Sequence, residues 1–264
     1  MDGSPQPPIT YNLELLAASA DKWKRSAGLR AVYGSIFEAI RGHMVEGPSL
    51  ELGSGIGNLK ESLPQVVTSD LVKTEYVDTA CSAYEIIKPP DDASGEKWAN
   101  LVAVDVLHHL CRPFDFFQSA STALADEGRI ILVEPAATLF GRLFYTLFHE
   151  EPIRPFRITP PFEMEPDDES GEFANMGMGV SLFRLNKEAC RERLSQLGLA
   201  VHEVAYRDLW AYPLSGGYSG PQLAPGWLIQ PLLSLEGFIP QVLLQHLALR
   251  MVIVIRKLPR PDPS

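Results

Sequence analysis

Three glycines at alternate positions stand in Ser49-Leu50-Glu51-Leu52-Gly53-Ser54-Gly55-Ile56-Gly57-Asn58, behind a short apolar run that carries an acid. Glycine at such positions permits a sharp turn and lets a ligand approach main-chain atoms with no Cβ in the way. A helix opening just beyond would offer unpaired N–H groups and the positive end of its dipole, suited to a carboxylate or a phosphate. Asn58 stands where a dinucleotide-type turn, Gly55-x-x-Gly, needs glycine, which disfavours a nicotinamide or flavin cofactor. Thirteen residues beyond Gly57, Asp70 closes a second β-rich run, where a carboxylate can accept both hydroxyls of a ribose. Turn and acid together point to a nucleoside-bearing small molecule. A ligand-free strand–helix connection, with Asp70 an ordinary helix N-cap, is the alternative reading of the same residues.

The surrounding pattern supplies elements able to position these groups. Residues 49–52, 66–69, 77–81, 101–104 and 129–133 read as short strands, with helical stretches at 56–63, at 114–125 and near Leu71. That alternation marks βαβ units around a parallel sheet covered on both faces. Apolar residues at helical spacing (Leu13, Leu16, Ala17, then Val32, Ile36, Phe37, Ile40) predict two helices before the first strand. In the second half, Asn186 is the expected N-cap of a helix ending near Gly198, followed by strands at 201–209 and 249–256. The chain therefore divides into an N-terminal helical cap, residues 1–45, and a main domain, residues 46–264. Prolines and glycines make 152–180 a long lid-like loop, which includes the acidic patch Asp167, Asp168, Glu169, and 212–246 an insertion before the last strand.

Taken in order, the segment ELGSGIGN, then Asp70, then Ala103-Val104-Asp105-Val106-Leu107-His108-His109-Leu110, then Gly128 to Pro135 (GRIILVEP) resemble four motifs of one family. It is the class I, Rossmann-like S-adenosylmethionine-dependent methyltransferases, in particular the members acting on small molecules; the likeness covers residues 45–140. The resemblance implies an α/β fold, doubly wound, with a seven-stranded mostly parallel sheet whose last strand is antiparallel. It implies S-adenosylmethionine as cofactor and S-adenosylhomocysteine as product. Carried over position by position, Glu51, Gly53, Ser54, Gly55 and Gly57 would hold the amino-acid end of the cofactor. Asp70 would hold the ribose and Leu71 would pack on the adenine. Ser82 and Ala83 would follow the third strand at the adenine, with Ser82 in the place where relatives often carry an acid. Asp105 would flank the sulfonium.

Methyl transfer needs in-line alignment above all, and for an oxygen or nitrogen acceptor also a base near neutral pH. His109, then His108, is the candidate base, and Glu134, Arg142, Tyr145, His149 and Tyr218, with Tyr212, are candidate lining of an acceptor pocket. His149-Glu150-Glu151 reads as a solvated loop, no second histidine stands at helical ligand spacing, and no metal is expected. The Asn-Pro-Pro-Tyr signature of amide and adenine-N6 methylation is replaced by Asp105-Val106-Leu107-His108, which directs the expected acceptor towards a metabolite, lipid or natural-product intermediate. A non-catalytic protein that binds the same cofactor for a structural or regulatory purpose is the competing reading.

Composition sets outer limits. The 264 residues carry 23 Lys plus Arg against 33 Asp plus Glu, a net charge of −10, which argues against a broad phosphate-gripping face and hence against nucleic acid as a partner. Three widely spaced cysteines with no CxxC pair exclude a zinc ribbon and fit a reducing, cytoplasmic setting. No apolar run reaches the ~18 residues of a membrane span. The apolar 227–249 segment would serve equally well to cap a greasy pocket or to form the seam of a homodimer.

Overall fold

Along the central strands successive side chains face opposite ways, and both faces are apolar, so helices must cover the sheet on each side. A computed structural model describes residues 13–90, 96–166 and 173–259 of the chain. The N-terminal proline-rich stretch, nearly all of the C-terminal one and the acidic patch Asp167, Asp168, Glu169 lie outside the described residues. Seven strands, β1 (Ser49–Leu52), β2 (Val67–Asp70), β3 (Thr79–Ala80), β4 (Trp98–Val104), β5 (Leu124–Pro135), β6 (Leu199–Arg207) and β7 (Arg250–Lys257), form one sheet in the order β3-β2-β1-β4-β5-β7-β6. The pairs among β1 to β5 are parallel, whereas β7 runs antiparallel to both β5 and β6. The sheet is therefore the one expected from the sequence.

Helices α1 (Leu13–Arg25), α2 (Ala27–His43) and α3 (Leu59–Ser62) come from the first part of the chain, and α4 (Pro113–Ala123) and α5 (Leu139–Phe148) from the middle. A short α6 (Met178–Val180) runs into a π turn, Ser181–Leu185; then come α7 (Lys187–Gln196), α8 (Ala211–Ser215), α9 (Gly226–Glu236) and α10 (Gln241–Leu247). One face of the sheet (Leu101, Ala103, Ile130, Leu132, Ile253, Ile255) packs with Phe114, Phe116 and Phe117 of α4 and Cys190 and Leu194 of α7. The opposite face (Val102, Ile131, Val133, Val252, Val254) packs with Leu29, Val32, Ile36, Phe37 and Ile40 of α2, and with Ala211 and Ile229 of α8 and α9. The N-terminal helices and the insertion thus share one layer. Ser26 fixes the start of α2 by accepting from the Leu29 N–H at 3.1 Å.

Two local expectations are corrected and one is refined. The stretch near Leu71 is a turn and not a helix, and the helix expected over 56–63 is the single turn of α3, because the glycine loop occupies its first residues. Asn186 is the N-cap residue of α7, as expected, but its side chain makes no cap bond: its amide instead donates to the carbonyls of Ile158 and Ser181, tying the 152–180 segment down. That segment is well packed where described, with Ile158, Phe162, Phe173 and Met178 in the main core.

Candidate functional site

The strand order reverses between β1 and β4, and the crevice beyond the carboxyl ends of these strands is where such sheets take ligands. The glycine loop lies at this point. Gly53, Gly55 and Gly57 all have positive φ (65°, 54° and 66°), a region that an L side chain rarely adopts. Two of them are also required by close approach: a Cβ on Gly53 would stand 2.5 Å from Val106 Cγ2, and one on Gly57 would stand 2.2 Å from the Tyr76 carbonyl oxygen. A Cβ on Gly55 would meet only Leu16 Cδ2, in ordinary contact at 3.9 Å.

A cavity of about 190 Å³ opens beside the loop, lined by Glu51, Gly53, Ser54, Gly55, Ile56 and Asn58 together with Val104 and Asp105 after β4. Leu16 and Ser19 of α1, Tyr33 and Phe37 of α2, and Tyr218 of the insertion close it over. Asn58 Nδ2 donates to the Tyr218 hydroxyl at 2.8 Å, and Tyr218 meets Tyr33 edge to face at 5.3 Å, so the insertion is anchored to the loop it covers. A larger hollow, about 390 Å³, is lined by Ser121, Leu197, Gly198 and Lys257 at the far end of the sheet. The Lys257 ammonium there already donates to the carbonyls of Ser121 and Leu124, and among the described residues no acid or aromatic ring lines that hollow.

Glu51 is the group in the cavity most in need of a partner. It is 3% exposed, and its Oε2 is buried with no hydrogen bond. Burial pushes its carboxyl up to about 8. A cation seated against it would relieve that penalty. Asp70, also buried, accepts from the Gly55 N–H at 2.9 Å through Oδ2 and from the Leu71 N–H at 2.7 Å through Oδ1. It is bound to the loop rather than turned to bulk solvent, and each carboxylate oxygen keeps further acceptor capacity.

The remaining sequence candidates separate. Asp105, at φ 57°, lines the cavity and is held by Arg250, whose Nη1 lies 2.9 Å from Oδ2. Leu71 is 45% exposed beside Asp70, Ser82 is half-buried with its hydroxyl accepting from the Tyr84 N–H, and Ala83 is packed in the core; none of the three lines the cavity. Glu134 is a correction: it is fully buried and engaged by the N–H groups of Val106 and Leu107 and by His108, so it holds the turn after β4 and does not face an acceptor. Tyr145 is a second, buried with its hydroxyl donated to the Leu249 carbonyl at 2.6 Å. Arg142 is exposed on α5 with its guanidinium over the Phe156 ring, and His149 is half-buried near Tyr145.

The two histidines have opposite surroundings. His108 is 3% exposed, with Nδ1 2.7 Å from Glu134 and Nε2 3.3 Å from Glu151. Burial works against its charge, but the two carboxylates outweigh it and raise its pKa to about 10, so His108 is protonated while no other cation occupies the site. His109 stands at the surface with its ring against His108; desolvation first, and then the His108 charge, lower its pKa. Its Nδ1 lies 3.2 Å from the Phe173 carbonyl oxygen, which can only accept, so Nε2 carries the free lone pair. Glu151, expected in a solvated loop, is instead drawn to His108, which together with the other histidines lowers its pKa to about 2.

Several site residues escaped the sequence reading. Arg250, 3% exposed, donates to Asp105 and to the Tyr33 hydroxyl, approaches Asp208 at 3.9 Å, and lies over the rings of Tyr212 and Tyr33 at 4.8 and 5.1 Å. A single arginine inside the apolar run of the last strand was the available signal. Phe37 was read only as core of an amphipathic helix, which it also is, and Tyr33 was not singled out at all.

No family model matches this sequence, and no curated protein matches it. Solved structures do share its fold. An S-adenosylmethionine-dependent methyltransferase of Thermotoga maritima, 13% identical, aligns over 93% of this chain and 100% of its own with a TM-score of 0.52. One of Archaeoglobus fulgidus, 12% identical, aligns over 93% and 100% with a TM-score of 0.51. The protein has the fold of the class I S-adenosylmethionine-dependent methyltransferases.

Proposed function

We propose that the protein binds S-adenosylmethionine and transfers its methyl group to a small-molecule acceptor. The observation that carries this reading is the orphaned, buried Glu51 oxygen in the cavity beside the glycine loop, with Asp70 fixed behind it. The cofactor's amino-acid end carries the ammonium that such a carboxylate lacks, and a cavity of about 190 Å³ suits that end better than the whole molecule. Its nucleoside would then extend past Asp70 towards the exposed Leu71, with Ser82 and Ala83 beyond.

When bound, the cofactor supplies a methyl group already activated on a sulfonium. The chain's own contribution is to hold and exclude: Glu51 and the glycine loop fix the donor, Tyr33, Phe37, Tyr218 and Leu16 keep water from it, and Asp105 is held in place by Arg250. The aromatic wall favours an acceptor that is partly apolar. His109, with its lowered pKa and free Nε2, is the residue we assign as base. The cysteines form no disulfide, in keeping with a reducing cytoplasm as the place of work.

Calorimetric titration with S-adenosylhomocysteine and with NAD tests the cofactor; saturable binding of the first and none of the second is expected. Asp70→Ala should weaken S-adenosylhomocysteine by about 1.5–3 kcal/mol, the scale of a lost charged hydrogen bond. Unchanged affinity removes Asp70 from the ribose. Labelled methyl transfer into the small-molecule fraction of a cell extract, lost on His109→Asn while cofactor affinity persists, tests catalysis. Binding without transfer would favour the non-catalytic alternative.

A further inference from the structure

In the turn that follows β4 and Asp105, the geometry points to a divalent transition-metal site, best suited to Zn²⁺, formed by Nε2 of His108, Nε2 of His109 and a carboxylate oxygen of Glu151. One ligand atom from each of these residues lies within 4.8 Å of the others. The His108 Nε2 to Glu151 Oε2 distance is 3.3 Å. Ligands at ~2.0–2.1 Å around a tetrahedral zinc stand about 3.4 Å apart, so this edge is already at the required length. Small rotations of the exposed His109 and half-buried Glu151 would close the others.

The stronger argument lies behind the ligands. Metal-binding histidines donate their other ring N–H to a carboxylate or carbonyl, which fixes the ring and directs the remaining lone pair at the metal. Both histidines have this arrangement. His108 Nδ1 meets Glu134 at 2.7 Å, and Glu134 is itself immobilised by the N–H groups of Val106 (3.0 Å) and Leu107 (2.7 Å). His109 Nδ1 meets the Phe173 carbonyl at 3.2 Å. The backbone that presents them is braced as well, since the Asn175 N–H donates to the His108 carbonyl at 2.9 Å. A 3-10 turn (Leu107–His109) brings the two rings within 4.2 Å of each other, a poor arrangement for two protonated imidazoles and a good one for two neutral ligands. Two histidines and one carboxylate leave a fourth position for water or an oxygen ligand, as in catalytic zinc sites. Glu151 is far from the pair in sequence, so spacing alone does not reveal the set.

Metal occupancy would take His109 Nε2 out of the base role proposed above, so that base assignment belongs to the metal-free protein alone. The test uses the full chain, stripped with a chelator and titrated with Co²⁺ by visible absorption and with Zn²⁺ by calorimetry. One equivalent of Co²⁺ giving intense low-symmetry d–d bands, displaced by Zn²⁺, is expected. Glu151→Gln and His109→Gln should each lower Zn²⁺ affinity at least tenfold, and Glu134→Gln about 10–100-fold through loss of the orienting contact. No Co²⁺ spectrum, or a spectrum that survives both Glu151→Gln and His109→Gln, overturns the site and leaves His108 as a proton-bridged pair with its two acids. Circular dichroism and S-adenosylhomocysteine binding of the Glu151→Gln protein, measured in parallel, separate a lost metal from a lost fold or a failed cofactor assignment.

Discussion

A carboxylate enclosed without a counter-charge is in an unfavourable state, and Glu51 is in that state until a ligand arrives. Its pKa is raised from 4.5 in the open chain to about 8 in the folded protein. The sign follows from linkage: a folded-state acid with a raised pKa keeps its proton where the unfolded chain has lost it. Below pH 4.5 Glu51 therefore costs nothing, and between pH 4.5 and 8 it withdraws stability as pH rises. At 1.36 kcal/mol per unit the full effect is on the order of 5 kcal/mol. Glu51→Gln should stabilise the ligand-free protein at pH 8 relative to wild type, with the difference vanishing near pH 4.5, as read from urea unfolding across that range. The same substitution should weaken S-adenosylhomocysteine. An equal stability difference at both pH values would show that Glu51 is already paired in the folded state. Asp70 is in the opposite situation, since its charge is met by two backbone donors before any ligand binds.

Among the elements, β7 does more than complete the sheet. Its first residue, Arg250, is the buried cation that holds Asp105 and Tyr33 at the cavity and neighbours Asp208. Arg250→Met should cost about 3–5 kcal/mol in urea unfolding, because it removes the buried cation that Asp105 and Tyr33 are bonded to, while Asp208 keeps Arg207. Combining it with Asp105→Asn should recover part of that loss; strict additivity would mean that the pair does not interact. The contrast between β1 and β7 explains what could be seen in the sequence. The loop after β1 was readable because its backbone needs glycine at fixed places and Asp70 because it closes a β-rich run, whereas Glu51 and Asp105 were expected only from the family resemblance and Tyr218 from its place beside Gly216 and Gly217. Arg250, Tyr33 and Phe37 were not readable as site residues, since their roles arise only when residues 33, 105 and 250 meet in space. Glu134 and Tyr145 were misjudged for a related reason: the sequence places each of them at the right edge of the sheet but does not say which way the side chain turns or what it bonds. The histidine doublet was found, but its two different environments depend on Glu134, Glu151 and the carbonyl of Phe173, all distant in the chain.

At the scale of the whole molecule, two cores flank a single seven-stranded sheet, and none of the described helices is long and apolar enough to cross a membrane. Its outer surface is not uniformly polar: along α5, Leu139, Leu143 and Leu147 are 72%, 57% and 64% exposed at intervals of four residues. They make no core contribution, so Leu143→Lys and Leu147→Lys should each change the unfolding free energy by less than about 0.5 kcal/mol in dilute protein. A larger loss would mean that this stripe is buried in solution. The order of the sheet has a consequence for how the chain is made. β7 is translated after every other strand, yet its place is between β5 and β6. Until the ribosome has released it, β5 lacks the neighbour on its outer side and β6 has none, two bare edges of the kind that recruit foreign strands. Synthesis of the last strand therefore closes an internal gap, and the nascent chain has neither a sealed sheet nor a finished ligand pocket before that moment.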